Sequence, residues 1–208
     1  MRPARHSHTL RNISRIALML AVVAPGGRLR AQDPVITTNA PRTNLEAISC
    51  RIETVVIKGL AEMGSMTADR GTISIRCLAF MDAGTGLKER GLRIRLQSSN
   101  GASGQALVDY EEIAPLLRAI ETLGKLDKKI MGLPSFEADF KTKDGLRVST
   151  RNIVVGPTES VQASVSSPGV NPIHLTIAQL EQFANLIEEA RTVLDGTQKG
   201  KLEQVDSP

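Results

Sequence analysis

Hydrophobic and polar positions alternate with a period of two through two blocks of this chain, and each block ends where the pattern becomes helical. The clearest helical stretch runs from Val108 to Leu126. Asp109 is a favourable N-cap, Glu112 three residues on completes a capping box, and Val108 with Ile113 has the spacing of a hydrophobic staple. Ile113, Leu116, Leu117, Ile120 and Leu123 then keep one apolar face. Pro115 cannot donate to the carbonyl of Glu111, so the pattern predicts a tight first turn over 109–114 and a regular helix from near Pro115.

In the first block, strands are expected over 50–59 and 72–81, with the small polar residues of 62–70 as their connection. A hairpin centred in that connection sets Cys50 opposite Cys77, Ile52 opposite Ile75 and Thr54 opposite Ile73. Leu92, Ile94 and Leu96 alternate with Arg93, Arg95 and Gln97 in a third strand, 91–97. A Gly/Ser/Asn turn over 98–104 leads to a short fourth strand, 105–108, and then to the helix.

After a connection over 125–134 the plan repeats. Phe136, Ala138 and Phe140 form one strand face, Lys143-Asp144-Gly145 carries an Asp-Gly hairpin signal, and Leu146, Val148 and Thr150 continue inward. Val161, Ala163 and Val165 supply a third strand and 173–176 a fourth. Thr176 is the expected N-cap of the last helix, with Gln179 at N3 and a Leu175–Leu180 staple. Its apolar residues, from Leu180 to Leu194, cover an arc of about 180°, wider than the usual stripe. Such a face suggests contact with a second surface, and so a protein partner or homo-oligomer through this C-terminal helix. The expected fold class is α+β: two successive units of an antiparallel four-stranded meander followed by a helix (48–126 and 135–195) in one domain, 48–195, with a polar, frayed tail over 196–208.

Composition changes this picture in two respects. The 208 residues are 41% hydrophobic but only 2% aromatic, so Val, Ile, Leu and Ala carry the core and extensive aromatic platforms are excluded. The basic pI near 9.3 comes from the beginning of the chain. Residues 1–31 hold six arginines and no acid, and setting them aside leaves 20 basic against 22 acidic residues, a formal charge of −2. That stretch has the parts of a secretory signal: a basic start, the nine-residue apolar run Ile16–Ala24, and Leu29-Arg30-Ala31 before Gln32. Nine residues are far short of the roughly 20 that span a membrane. The chain is therefore read as exported, periplasmic or extracellular, with 1–31 as signal peptide and 32–47, rich in Thr, Asn and Pro, as a linker.

Export bears on the cysteines. Two in an exported chain favour a disulfide, Cys50 to Cys77; the alternative is two small buried hydrophobes with free thiols. Candidate chemistry is otherwise sparse. His174 is the one histidine beyond the signal, and no Gly-x-Ser-x-Gly elbow accompanies it. One His and two Cys make no zinc constellation, and Glu111, Glu112, Glu188 and Glu189 read as solvated helix charges. No nucleophile has a matching base, which points away from an enzyme while leaving carboxylate-only chemistry open; no cofactor or metal is implied. Arg93, Arg95, Arg147 and Arg151 share outward strand faces and, if the two sheets join side by side, form a basic stripe able to bind an anion.

Met81-Asp-Ala-Gly-Thr-Gly-Leu-Lys88 resembles the first phosphate loop of the actin-like ATPases, a resemblance that implies backbone amides and Thr85 near phosphate and Asp82 near a metal. Over about 48–195 the paired meander-and-helix units resemble the Whirly single-stranded-DNA-binding fold. The Lys-Gly-Lys-Ala-Ala-Leu motif of that family has no counterpart here, so no binding residue is carried over. The segment from Phe136 to Val148 is similar to one found in uncharacterised bacterial proteins and brings no activity with it. The leading expectation is a secreted, non-catalytic interaction or assembly module. The alternatives are a single-stranded nucleic-acid binder of Whirly type and, more remotely, a hydrolase.

Overall fold

Alternating β-branched and aliphatic residues build two separate antiparallel sheets, and a capped amphipathic helix follows each of them. The computed structural model describes residues 40–126, 135–155 and 158–199. The expected signal peptide, the linker up to residue 39, most of the 125–134 connection and the tail from residue 200 lie outside the described residues. The first sheet has the order β1 (Val56–Ala68), β2 (Gly71–Asp82), β3 (Lys88–Ser98), β4 (Ser103–Asp109), and the second the order β5 (Glu137–Lys141), β6 (Arg147–Val155), β7 (Thr158–Ser166), β8 (Ile173–Leu175). Helix α1 (Asn44–Ser49) precedes the first sheet, α2 (Tyr110–Gly124) follows it, and α3 (Ile177–Lys199) follows the second. Among the described residues no helix is long and apolar enough to cross a membrane.

The inward faces of both sheets meet α2 and α3 in one core. Ile73, Ile75, Leu92, Ile94 and Leu96 come from the first sheet, Val148, Ala163 and Val165 from the second, and Ile113, Leu116, Phe183 and Ile187 from the helices, all wholly excluded from solvent. Each large side chain so buried contributes roughly 1.5–3 kcal/mol. At the seam between the sheets the backbones come close. A Cβ on Gly104 would stand 2.6 Å from Val170 Cγ2 and 2.8 Å from the Pro168 carbonyl, so only glycine fits there.

Several boundaries differ from the sequence reading. β1 runs over most of the residues expected as a loop, and the hairpin turns at Asp69-Arg70, with Ala68 opposite Gly71. Within that strand lies a bulge between Glu62 and Gly64. Before it Ile57, Gly59 and Ala61 share a face with Met81, Ala79 and Cys77; after it Gly64, Met66 and Ala68 share that face with Ile75, Ile73 and Gly71. One extra residue inverts the parity that sequence alternation relies on.

Residues 44–49, in and just after the expected linker, form α1 instead. Thr43 Oγ1 accepts from Glu46 N at 3.0 Å, and Glu46 Oε2 accepts from Arg42 N at 2.7 Å. Thr43-x-x-Glu46 was a readable capping signal in a segment too short to show a period. Leu45 and Ile48 then cover Leu78 and Phe80 on the outward face of the first sheet, a second small core.

Helix α2 begins at Tyr110 and carries Pro115 inside it, earlier than expected. The proline forfeits one hydrogen bond to Glu111, and burial of Ile113, Leu116, Ile120 and Leu123 offsets that loss. Helix α3 matches its expected start: Thr176 N donates to Gln179 Oε1 at 3.0 Å and Gln179 N to Thr176 Oγ1 at 3.2 Å. It continues through Gly196 to Lys199, past the expected fraying point.

Asp109 links these parts. It is almost wholly buried, and its carboxylate accepts from Asn44 N at 2.9 Å and Leu45 N at 3.1 Å while Lys143 Nζ approaches at 3.3 Å. Asp109→Ala removes the acceptor for two amides of α1 and should lower the unfolding free energy by roughly 1–3 kcal/mol. Urea titration measures the loss, and amide exchange over 44–49 should accelerate well before global unfolding.

Candidate functional site

The four candidate arginines do not form one stripe. Arg93 and Arg95 lie on β3, opposite Arg76 and Ser74 of β2, whereas Arg147 and Arg151 lie on β6. Among the described residues the two sheets share no ladder, so they do not join side by side as a single stripe requires. Arg147 is also occupied: its Nη2 donates to Glu137 Oε1 at 3.0 Å and to Asp139 Oδ1 at 3.1 Å. Arg93 is half-buried, and its Nε has no hydrogen-bond partner. His174 sits on β8 opposite Ser164, where burial lowers its pKa and Arg151 and Arg70 lower it further.

The Asp82 loop is closed on itself. Asp82 is 2% exposed, and its carboxylate accepts from Thr54 Oγ1 at 2.7 Å, Arg51 Nη1 at 2.5 Å, Gly84 N at 2.8 Å and Thr85 N at 3.1 Å. The amides that a phosphate loop would turn toward a ligand are spent on its own aspartate. The Thr54 hydroxyl and the Arg51 guanidinium hold this carboxyl well below the usual carboxylate range. The cluster fastens the segment after α1, where Glu53 has φ 59°, onto the β2–β3 turn.

The cysteines are far apart in role. Cys50 is the exposed C-cap of α1, and Cys77 is buried opposite Ala61 and Leu92, its Sγ against the Ala190 carbonyl at 3.3 Å. Both are free thiols, so the expected Cys50–Cys77 bridge is replaced by one surface thiol and one core thiol, the latter pushed up by burial to about 11.

The broad apolar arc of α3 is satisfied inside the chain. Leu180, Phe183, Ile187, Ala190 and Leu194 are buried against both sheets and α2, and Val193 is the large apolar residue of this helix left exposed. The expected partner surface on α3 is therefore core.

The exposed apolar surface lies on β1 instead. Ile57 is 50% and Leu60 56% exposed, and the preceding Ile52 and Val55 are more open still. Ala83 N donates to Val55 O at 2.9 Å, and Val55 precedes the pair Val56 with Asp82, so odd-numbered residues of this part of β1 aim their peptide groups at β2. Lys58, Leu60 and Glu62 consequently aim theirs away from the sheet. Among the described residues no strand pairs with that outer edge. Beside it lies a concavity of about 590 Å³ lined by Ile57, Ala79, Met81, Arg90, Tyr110 and Thr197. Arg90 stacks over the Tyr110 ring at 3.7 Å and donates to the Leu194 carbonyl at 2.8 Å, and the Tyr110 hydroxyl bonds Asp195, which fixes its far wall.

No sequence signal named this edge, because alternation sets the first strand over 50–59 and its connection over 62–70, whereas β1 runs over Val56–Ala68. Two outcomes check the rest of the site. Because the folded-state pKa of Asp82 is depressed, its stabilisation is complete above the ordinary value of 3.8 and is lost as pH falls below it. The urea midpoint of Asp82→Asn should thus vary less with pH on the acid side than that of the wild type. Under native conditions one thiol, Cys50, should react with a maleimide and Cys77 only after denaturation, with no mass change on reduction. No protein-family model matches the chain and no curated protein matches it in sequence.

Proposed function

We propose that this chain is an exported, non-catalytic interaction module that receives an extended partner strand along the outer edge of β1. The observation that carries the reading is the unpaired backbone of Lys58, Leu60 and Glu62 flanked by the exposed side chains of Ile57 and Leu60. An exposed edge with apolar side chains is a template for strand addition, in which main-chain hydrogen bonds supply affinity and side-chain pockets supply specificity. The concavity beside Ile57 offers such a pocket. Support for export is the signal-like composition of residues 1–31. The nucleic-acid alternative has no comparable observation in its favour, since Arg147 is paired with Glu137 and Asp139.

Amide exchange tests the reading directly. In dilute purified protein the Lys58, Leu60 and Glu62 amides should exchange quickly, and in the presence of the exported fraction of the source cell they should slow by at least roughly tenfold, the protection given by hydrogen-bonded pairing. Unchanged rates under both conditions would refute it.

A further inference from the structure

We infer that the strand received by β1 is β1 of a second copy of this chain, paired antiparallel about Leu60; this rests on the edge-binding reading above. The backbone supports such a pairing. With Lys58, Leu60 and Glu62 all presenting N–H and C=O outward, Leu60 meets its own twin as a hydrogen-bonded pair. Lys58 then faces Glu62 of the second copy, and Glu62 faces the second Lys58, each again a hydrogen-bonded pair.

The side chains agree with this register. Residues directly opposite in an antiparallel pair share a face, so each Lys58 ammonium stands beside a Glu62 carboxylate on the outward face, with the two Leu60 side chains between. The charge pattern is self-complementary under a two-fold axis, as an isologous contact requires. Sliding the pair to centre on Lys58 or on Glu62 sets like charges opposite each other. In the single chain both charged side chains rest on the neighbouring strand, Lys58 Nζ 5.4 Å from the Phe80 ring centroid and Glu62 bonded to Arg76, and they turn to the second copy on pairing.

The same geometry limits the contact. The bulge between Glu62 and Gly64 ends the regular edge, and farther along Gln179 Nε2 donates to Thr67 O at 3.3 Å, where α3 and β8 close over the strand. The pairable run is short. A reversible, concentration-dependent dimer with a continuous sheet across the two-fold axis is the result.

Sedimentation equilibrium of the full chain tests this. The wild type should dimerise reversibly, Lys58→Glu and Glu62→Lys should each weaken association roughly tenfold or more by turning two attractive pairs into repulsive ones, and the double exchange should restore it. Leu60→Pro removes an N–H that points away from β2, so it should abolish the dimer while the circular dichroism spectrum of the fold persists. A wild type that stays monomeric overturns the inference, as does a double exchange as weak as the single variants or a Leu60→Pro protein that still dimerises. If the wild type is monomeric but the exported fraction still slows the Leu60 amide, edge binding stands and the second-copy assignment falls. If neither occurs, both fall.

Discussion

The Asp109 carboxylate is held almost out of contact with water, in a place where an unpaired charge would cost several kcal/mol. It is tolerated because its surroundings are built to donate to it. Two backbone amides of α1 and the ammonium of Lys143 meet its oxygens. Glu112, on the first turn of α2, accepts from the Asp109 N–H at 3.2 Å and from Lys143 N at 2.8 Å. Lys143 also bonds Glu111 at 2.8 Å, and with Asp109 that contact raises its own pKa. The end of β4, both of the first two helices and the β5–β6 turn are thereby located relative to one another by a single cluster. The core that α2 and α3 form between the sheets follows from this placement.

The remaining architecture can be understood as the treatment of four sheet edges. β4 is closed by the second half of the chain, since Leu107 N donates to Asp144 Oδ2 at 2.8 Å and Gly104 lies under Val170 and Pro168. β5 is short and carries Glu137, Asp139 and Lys141 outward, the usual protection of a free edge by charge. β8 has only three residues. β1 is the long edge, and between its start and its bulge it has neither a covering element among the described residues nor a run of like charge. Lys58 and Glu62, of opposite sign and four residues apart, do not repel an antiparallel copy; they match it.

Candidate residues were legible in proportion to how local their environment is. Asp82 with Gly84 and Thr85 is a turn whose hydrogen bonds lie within three residues, so its loop was visible, but the turning of the amides inward depends on Arg51 and Thr54, which arrive from another segment. The arginines were correctly placed on outward strand faces. Their separation is a property of sheet order, which alternation does not encode. The thiols show the same limit: which residue lies across from Cys77 is set by where the hairpin turns, and the turn at Asp69-Arg70 sets Ala61 there instead of Cys50.

By itself the sequence determined what short-range physics can enforce: the α+β class, four strands and then a helix in each half, the Asp109 and Thr176 helix starts, and the inward identities of Leu92, Ile94, Leu96, Val148, Ala163 and Val165. Period, capping and turn chemistry act over a few residues, and they survive in any context that buries the apolar face. Tertiary structure alone decided that β1 is a long edge and that the apolar arc of α3 faces inward. It also decided that the arginines belong to two sheets and that Cys50 and Cys77 never meet. Each of these depends on which distant segments compete for the same surface, and that competition is resolved only when the whole core is assembled.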